Sequence, residues 1–375
     1  SRSRKTQQER QLVLPRGQKD SNIHGAQWYR FRTAVCWSAA VAVFLYVRML
    51  YQDLDFDIDM RKVSMAPVTL ISATAPANIQ LHGDLALSGY AHEVWEGLLQ
   101  SAPAEERPNS AIVEVGMHDA KQCMAAAREG FQAHCVEPSP KSFRRITQFF
   151  KQQAEAEVQK RVHLYNVAAG GQEESVVPFV ANGGTGDHIG KIDMWKMEEV
   201  AEDSTELSGN SEIIEVPSKP LDSILGNLPE SIYLLKVDTQ GYEPHVFAGL
   251  TRILSQQNKP RYILTEFWPR GMDIIAGKTN RECIGVPEVL EKLSEHGYKL
   301  YALPVEAHPK SPIYSAMRQI RKTRPLDDVN KYCQWYYELE DKYPSEEYKM
   351  GYWSDFLALT PDTELPKKLQ DLPIH

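Results

Sequence analysis

Six strand-like runs, Ala111–Val115, Phe131–Val136, Val162–Ala168, Ile232–Asp238, Arg261–Phe267 and Tyr298–Leu303, recur along the chain with helix-length segments between most of them. Runs that are apolar rather than alternating suit strands buried on both faces, and helical crossovers join such strands in parallel with a right-handed turn. The expectation is an α/β fold with a doubly wound, mostly parallel sheet. Asp119 can cap a helix through Arg128 that packs Met124 and Ala127 on the sheet, and Ser139 can cap another through Ile146 to Phe150. Further helices are expected at 221–225, after Gly241 with Val246, Phe247, Leu250 and Leu254 at helical spacing, and at 286–296.

Around this centre the pattern is weaker. Residues 85–100 predict an amphipathic helix through Leu85, Leu87, Val94, Leu98 and Leu99. Glu173–Ala181 and Glu212–Pro217 are strand-like, and the acidic run Glu198–Glu206 between them reads as a surface insertion placed to act as a lid. The tail from Ile313, rich in Tyr, Trp and charge, is assigned to packing at the domain's edge. The organisation expected is a basic arm (1–32), a membrane anchor (33–50), a stem (51–80), a main domain (81–310) and a C-terminal extension (311–375).

The anchor rests on charge. Residues 1–32 hold eight Lys and Arg against Glu9 and Asp20, 33–47 hold no charge, and Asp53, Asp55, Asp57 and Asp59 follow. A span of about 30 Å wants roughly 20 residues, a length that Leu50, a snorkelling Arg48 and interfacial Trp28, Tyr29 and Tyr51 would complete. The long arm before it and the lack of a small-residue cleavage site favour an uncleaved anchor over a signal peptide. The positive-inside rule then puts the arm in the cytoplasm and the domain across a membrane, with the Golgi or another secretory-pathway membrane in view. The chain starts at Ser1, so more arm is expected before it. The net charge of -8 argues against a nucleic-acid binder. The Asp53-Leu-Asp55 spacing matches one with which glycosyltransferases hold a metal and a sugar nucleotide, but beside the membrane and after no core strand it reads as solvated stem. Cys36, Cys123, Cys135, Cys283 and Cys333 lack metal-ligand spacing, so no metal is assigned. Cys123 and Cys135 are expected as buried thiols, and Cys283 and Cys333 as the pair to be bridged in a luminal domain.

Chemistry is expected at the strand ends, where open α/β sheets bind ligands. Gly116 after the first strand lets a ligand approach the backbone, and Glu137 after the second can accept hydrogen bonds from both ribose hydroxyls. A nicotinamide dinucleotide needs more glycines than Gly116-Met-His-Asp-Ala120 supplies, whereas S-adenosylmethionine carries no phosphates. Ile112-Val-Glu-Val-Gly116, Val136-Glu-Pro138, Asn166-Val-Ala168, Leu235-Lys-Val-Asp-Thr-Gln-Gly-Tyr-Glu243 and Ile263-Leu-Thr-Glu-Phe267 resemble the successive motifs of FkbM-type S-adenosylmethionine-dependent methyltransferases over 110–305. The resemblance implies a Rossmann-like fold and O-methylation of a hydroxyl on a carbohydrate or other small acceptor. It implies that Glu114, Gly116, His118, Glu137, Asn166 and Asp238 border the cofactor. Met117 and Ala120 stand where such proteins usually carry Ala and Gly. Asp238 is the first choice of general base, with His188, His245, Glu243 and Glu266 behind it, and Glu243 also suits the first turn of a helix. Lys236 is expected to pair with a carboxylate. Glu266, Trp268 and Arg270 sit where an acceptor sugar would stack and hydrogen-bond. The rival readings are a membrane-tethered module of the same fold without turnover, favoured by Met117 and Ala120, and an anchored glycosyltransferase.

Overall fold

The computed structural model describes residues 81–84, 91–181, 187–193, 198–199, 212–278, 281–305, 328–344 and 350–370. The arm, the anchor at 33–50, the stem with Asp53 and Asp55, and most of the acidic insertion lie outside the described residues. The chain divides into two compact units, Ser1–Ser72 and Ala73–His375, and every described residue belongs to the second. Among the described residues no helix is long and apolar enough to cross a membrane.

The described chain opens with β1 (Leu81–Asp84) and α1 (Ala91–Ser101), then alternates through β2 (Ser110–Val115), α2 (Lys121–Arg128), β3 (Gln132–Val136), α3 (Pro140–Gln153), α4 (Ala156–Arg161) and β4 (Val162–Tyr165). A run of short strands follows: β5 (Ala168–Ala169), β6 (Ser175–Ala181), β7 (His188–Ile189), β8 (Ile192–Asp193), β9 (Glu198–Glu199) and β10 (Glu212–Lys219). The main alternation resumes with α5 (Leu221–Leu225), β11 (Ser231–Val237), α6 (Glu243–Ala248), α7 (Thr251–Ser255), β12 (Tyr262–Phe267), α8 (Pro269–Ile275), α9 (Gly285–Glu295) and β13 (Lys299–Ala302). Three elements close the chain: α10 (Val329–Lys342), β14 (Ser354–Leu359) and α11 (Lys367–Gln370).

The main sheet has eight strands in the order β1-β13-β14-β12-β11-β2-β3-β4. All neighbours are parallel except β14, which runs antiparallel to both β12 and β13. From β2 the chain winds outward through β3 to β4, and from β11 it winds the other way through β12. The strand order therefore reverses between β2 and β11, the place where an open α/β sheet parts into a crevice. β2 and β12 are buried along their whole length, as strands covered on both faces must be. The pleat sends Val113, Val115, Leu235, Val237 and Ile263 to one face, with α6, α9 and α10, and sends Ile112, Leu234, Leu264 and Leu357 to the other, with α1 and α2. Each such side chain contributes roughly 1.5–3 kcal/mol by leaving water.

Three expectations are corrected. The third run splits into β4 and β5, and β5 pairs with β10 in a second sheet, β5-β10-β6-β7, beside the first. The C-terminal extension does not merely pack at an edge: β14 is an interior strand of the main sheet. Cys123 and Cys135 are joined in a disulfide, as are Cys283 and Cys333. The first pair was expected as thiols because helix and strand patterns do not reveal which residues of α2 face which residues of β3. The helix expected at 85–100 begins at Ala91, and Leu85 and Leu87 lie outside the described residues.

Candidate cofactor and acceptor cleft

The crevice between β2 and β11 is closed by backbone. Gly116 has φ +86°, and a Cβ there would lie 1.9 Å from the Asp238 carbonyl oxygen, so only glycine lets the two strand ends meet. Gly116 N and Met117 N donate to the Val136 carbonyl at 3.0 and 3.3 Å, and Asp238 N donates to that of Val115 at 3.0 Å. The ends of β2, β3 and β11 are thereby held level. Above them opens a cleft that mouths to solvent. Gly116, His118, Glu137 and Asp238 line it, and Phe179 and His188 from the second sheet face them.

At the β3 end Glu137 is almost wholly buried. Its Oε1 accepts from Ser139 N at 2.8 Å and its Oε2 from His118 N at 3.1 Å. Burial, against those two amides, raises its pKa to about 7. A carboxylate oxygen has two acceptor positions, so one on each remains for the hydroxyls of a ribose. Asn166 does not line the cleft: its Nδ2 donates to the Glu137 and Pro138 carbonyls at 2.8 and 3.1 Å and fixes the turn that carries Glu137. Glu114 also lies beneath rather than in the cleft, with Cys123 N donating to its Oε2 at 3.1 Å and Lys236 Nζ 4.0 Å from its Oε1. Burial pushes its pKa up to about 8. Met117 and Ala120 turn their side chains into the core with Ile112 and Met124, so neither crowds a cofactor.

At the β11 end the Asp238 side chain is about 32% exposed and both of its oxygens are held. Lys236 Nζ donates to Oδ2 at 2.9 Å, and Gln240 Nε2 donates to Oδ1 at 3.0 Å while also reaching Glu266 Oε1 at 3.3 Å. Burial opposes the Lys236 charge, but Asp238 and then Glu114 outweigh it and hold the ammonium above its ordinary pKa. Burial raises the pKa of Glu266 well above the carboxylate range, and Asp238, Glu243 and Asp355 add to the effect. Glu266 Oε2 is buried without a hydrogen-bond partner.

The remaining candidates are placed elsewhere. Glu243 is fully buried, and its Oε1 accepts from Thr239 N at 2.7 Å and Thr239 Oγ1 at 2.8 Å, which clasps the turn after β11. His245 stacks on Tyr242 with ring centroids 4.3 Å apart, and burial lowers its pKa to about 4, so it stays neutral and outside the cleft lining. Trp268 is 1% exposed and gives its Nε1–H to the Met350 carbonyl at 2.6 Å. Arg270 turns its Nε to Glu340 Oε1 at 3.0 Å, with a second bond from Nη2 to Oε2. Both were expected to meet an acceptor; the C-terminal segment engages them instead. Thr239, Gln240 and Phe179 line the cleft without having been singled out from sequence. For Gln240 the available signal was its place two residues after Asp238.

A buried acid where a ribose would sit, beside a turn with a single glycine and no path for a pyrophosphate, suits the phosphate-free cofactor of S-adenosylmethionine-dependent methyltransferases. The family described as the methyltransferase FkbM domain matches residues 114–300. The chain belongs to that family through this domain. No curated protein matches the chain. Among solved structures it is similar to the methyltransferase FkbM of Methylobacillus flagellatus, at 13% identity and TM-score 0.33, over 52% of this chain and 40% of that one. It thus spans less than half of that protein. It is also similar to an O-methyltransferase of Bacillus cereus in complex with SAH, at 12% identity and TM-score 0.35, over 73% of this chain and 83% of that one. Such distant likenesses do not bear on the acceptor.

Proposed function

We propose that the chain is a membrane-anchored O-methyltransferase acting on a hydroxyl of a carbohydrate or other small hydroxylated acceptor. The observation that carries this reading is Asp238, a part-exposed carboxylate held from both sides on the same cleft as Glu137. S-adenosylmethionine, when bound, supplies an electrophilic methyl carbon. Glu137 holds the ribose hydroxyls, and the bare backbone at Gly116 lets the cofactor lie against the strand ends. Asp238 would align an acceptor hydroxyl and take its proton as the methyl group leaves the sulfonium sulfur for that oxygen and the neutral thioether is released, while Lys236 and Gln240 keep its carboxylate from turning. Glu266, whose pKa burial raises, backs this end of the cleft through Gln240 rather than lining it.

Residues 33–50 are the proposed anchor, with the domain on the luminal side. Two disulfides support that side, because such bonds persist in oxidising compartments. Met117 and Ala120, packed in the core, do not favour the alternative of a module without turnover.

The test is calorimetry with S-adenosylhomocysteine on the full chain and on Glu137→Ala, followed by methyl transfer from labelled S-adenosylmethionine to a panel of glycosides with wild type and Asp238→Asn. Micromolar binding lost with Glu137→Ala, and transfer lost with Asp238→Asn, is the expected result. A folded chain that binds no S-adenosylhomocysteine would sink the reading.

A further inference from the structure

Helix α2 begins directly after the cofactor turn, and there Asp119 reaches only its first amide, Oδ1 accepting from Lys121 N at 3.1 Å. The residue before it, Ala120, has no side chain that can cap, and its backbone is left-handed at φ 59°, ψ 16°. His118, whose amide holds Glu137, is left-handed as well at φ 45°. Left-handed backbone is strained for residues other than glycine and persists only where the surroundings enforce it. The structure shows what enforces it here. Glu114 of β2 and Cys135 of β3 are direct register partners on adjacent strands. Cys123, in the first turn of α2, is tied to both: its amide donates to Glu114 Oε2 at 3.1 Å, and its sulfur is bonded to Cys135. The amide in question is the one a capping side chain would ordinarily satisfy, so Glu114 serves as a cap from the sheet. All three residues are buried.

We propose that the Cys123–Cys135 disulfide, together with Glu114, is a positioning device for the cofactor: it holds the start of α2 on the sheet, keeps residues 116–120 in the strained turn that presents His118 N to Glu137, and stands in for the glycine absent at position 120. The inference rests on the cofactor reading of the cleft. It separates this disulfide from an ordinary staple. A bond that only restricts the unfolded chain lowers the unfolding temperature when removed and leaves the affinity of the folded protein unchanged. A bond that holds the turn changes both.

The experiment compares the full chain with Cys123→Ala/Cys135→Ala, with that pair plus Ala120→Gly, and with Ala120→Gly alone. S-adenosylhomocysteine affinity is read by calorimetry far below the unfolding temperature, and amide exchange is read across 117–123. The expected result is an affinity roughly tenfold weaker in the cysteine-free variant, the order of the strain at one left-handed residue, with faster exchange in the turn. Ala120→Gly should restore most of that affinity without restoring the unfolding temperature, and alone should change affinity little. An affinity unchanged on removing the cysteines, or not recovered by Ala120→Gly, overturns the proposal. Should the cysteine-free chain not fold, Glu114→Ala serves in its place: it keeps the disulfide but removes the oxygen that caps the Cys123 amide, and an affinity and turn exchange equal to wild type would count against the device. Failure of the wild-type chain itself to bind would instead remove the cofactor reading.

Discussion

The two ends of the cleft are built by opposite means. Around Glu137 the holding groups come from the neighbouring strand and turn: a five-residue turn, two amides on one carboxylate, a disulfide twelve positions long and Asn166 at 29 positions hold a shape that any nucleoside-bearing cofactor would find ready. Around Asp238 the geometry depends on distant chain. Gln240 ties Asp238 to Glu266 on the next strand, and just beyond, Trp268 and Arg270 are engaged by Met350 and Glu340 from the C-terminal segment. The difference teaches that the cofactor end is a preformed receptor, whereas the acceptor end is shaped by what the tail covers. Changes at one end should therefore leave the other's readout nearly untouched.

The sharpest test of that separation is Asp238→Asn. It should lower turnover by about a thousandfold, in the range of a lost general base, while S-adenosylhomocysteine affinity stays within about threefold. Glu137→Ala should do the reverse. Losing two charge-assisted hydrogen bonds at about 1.5 kcal/mol each weakens cofactor binding on the order of a hundredfold, and calorimetry reads it directly. Arg270→Ala breaks the comparison in a third direction. If Arg270 serves only to tether the tail, the variant should lose about 2 kcal/mol of stability in denaturant melts, since Arg281 remains 3.5 Å from Glu340 to soften the loss, and the acceptor KM should move little. A large KM change with normal stability would return Arg270 to the acceptor.

Two smaller effects concern pH. Glu137 changes charge near pH 7, and ribose hydroxyls donate better to the ionised form, so S-adenosylhomocysteine binding should tighten between pH 6 and 8 by severalfold and become flat in Glu137→Gln. Glu114 has the same sign of shift with a different consequence. Its pKa in the folded protein, about 8, lies above its ordinary 4.5, so the folded state holds the proton more tightly than the unfolded chain. That contribution to stability is complete below about 4.5 and is lost as pH rises through 8. Unfolding midpoints followed over this window should fall with pH in wild type and fall less in Glu114→Gln.

Most of what was legible in the sequence lay where a strand's end and its side chains are neighbours in the chain. Gly116, Glu137 and Asp238 sit directly after apolar runs, and they line one cleft because parallel strands bring their ends to one edge. His245 was harder. It follows Asp238 closely, but the turn of α6 lays it on Tyr242, away from the cleft. Trp268 and Arg270 have the right position along β12, yet their partners stand 82 and 70 residues further on, and no local pattern announces them. The same is true of β14. Ser354–Leu359 is a short run in a charged, aromatic tail, and only pairing with β12 and β13 reveals it as sheet interior.

The position of β14 also sets a schedule for biosynthesis. β12 and β13 each wait for a partner that begins at Ser354, made well after both of them. Until it arrives, each of those strands keeps an open edge on the side that β14 will occupy, the kind of edge that recruits other chains. A nascent chain would therefore need shelter until β14 has been made, and a product truncated before residue 354 would emerge as an aggregation hazard rather than a smaller enzyme.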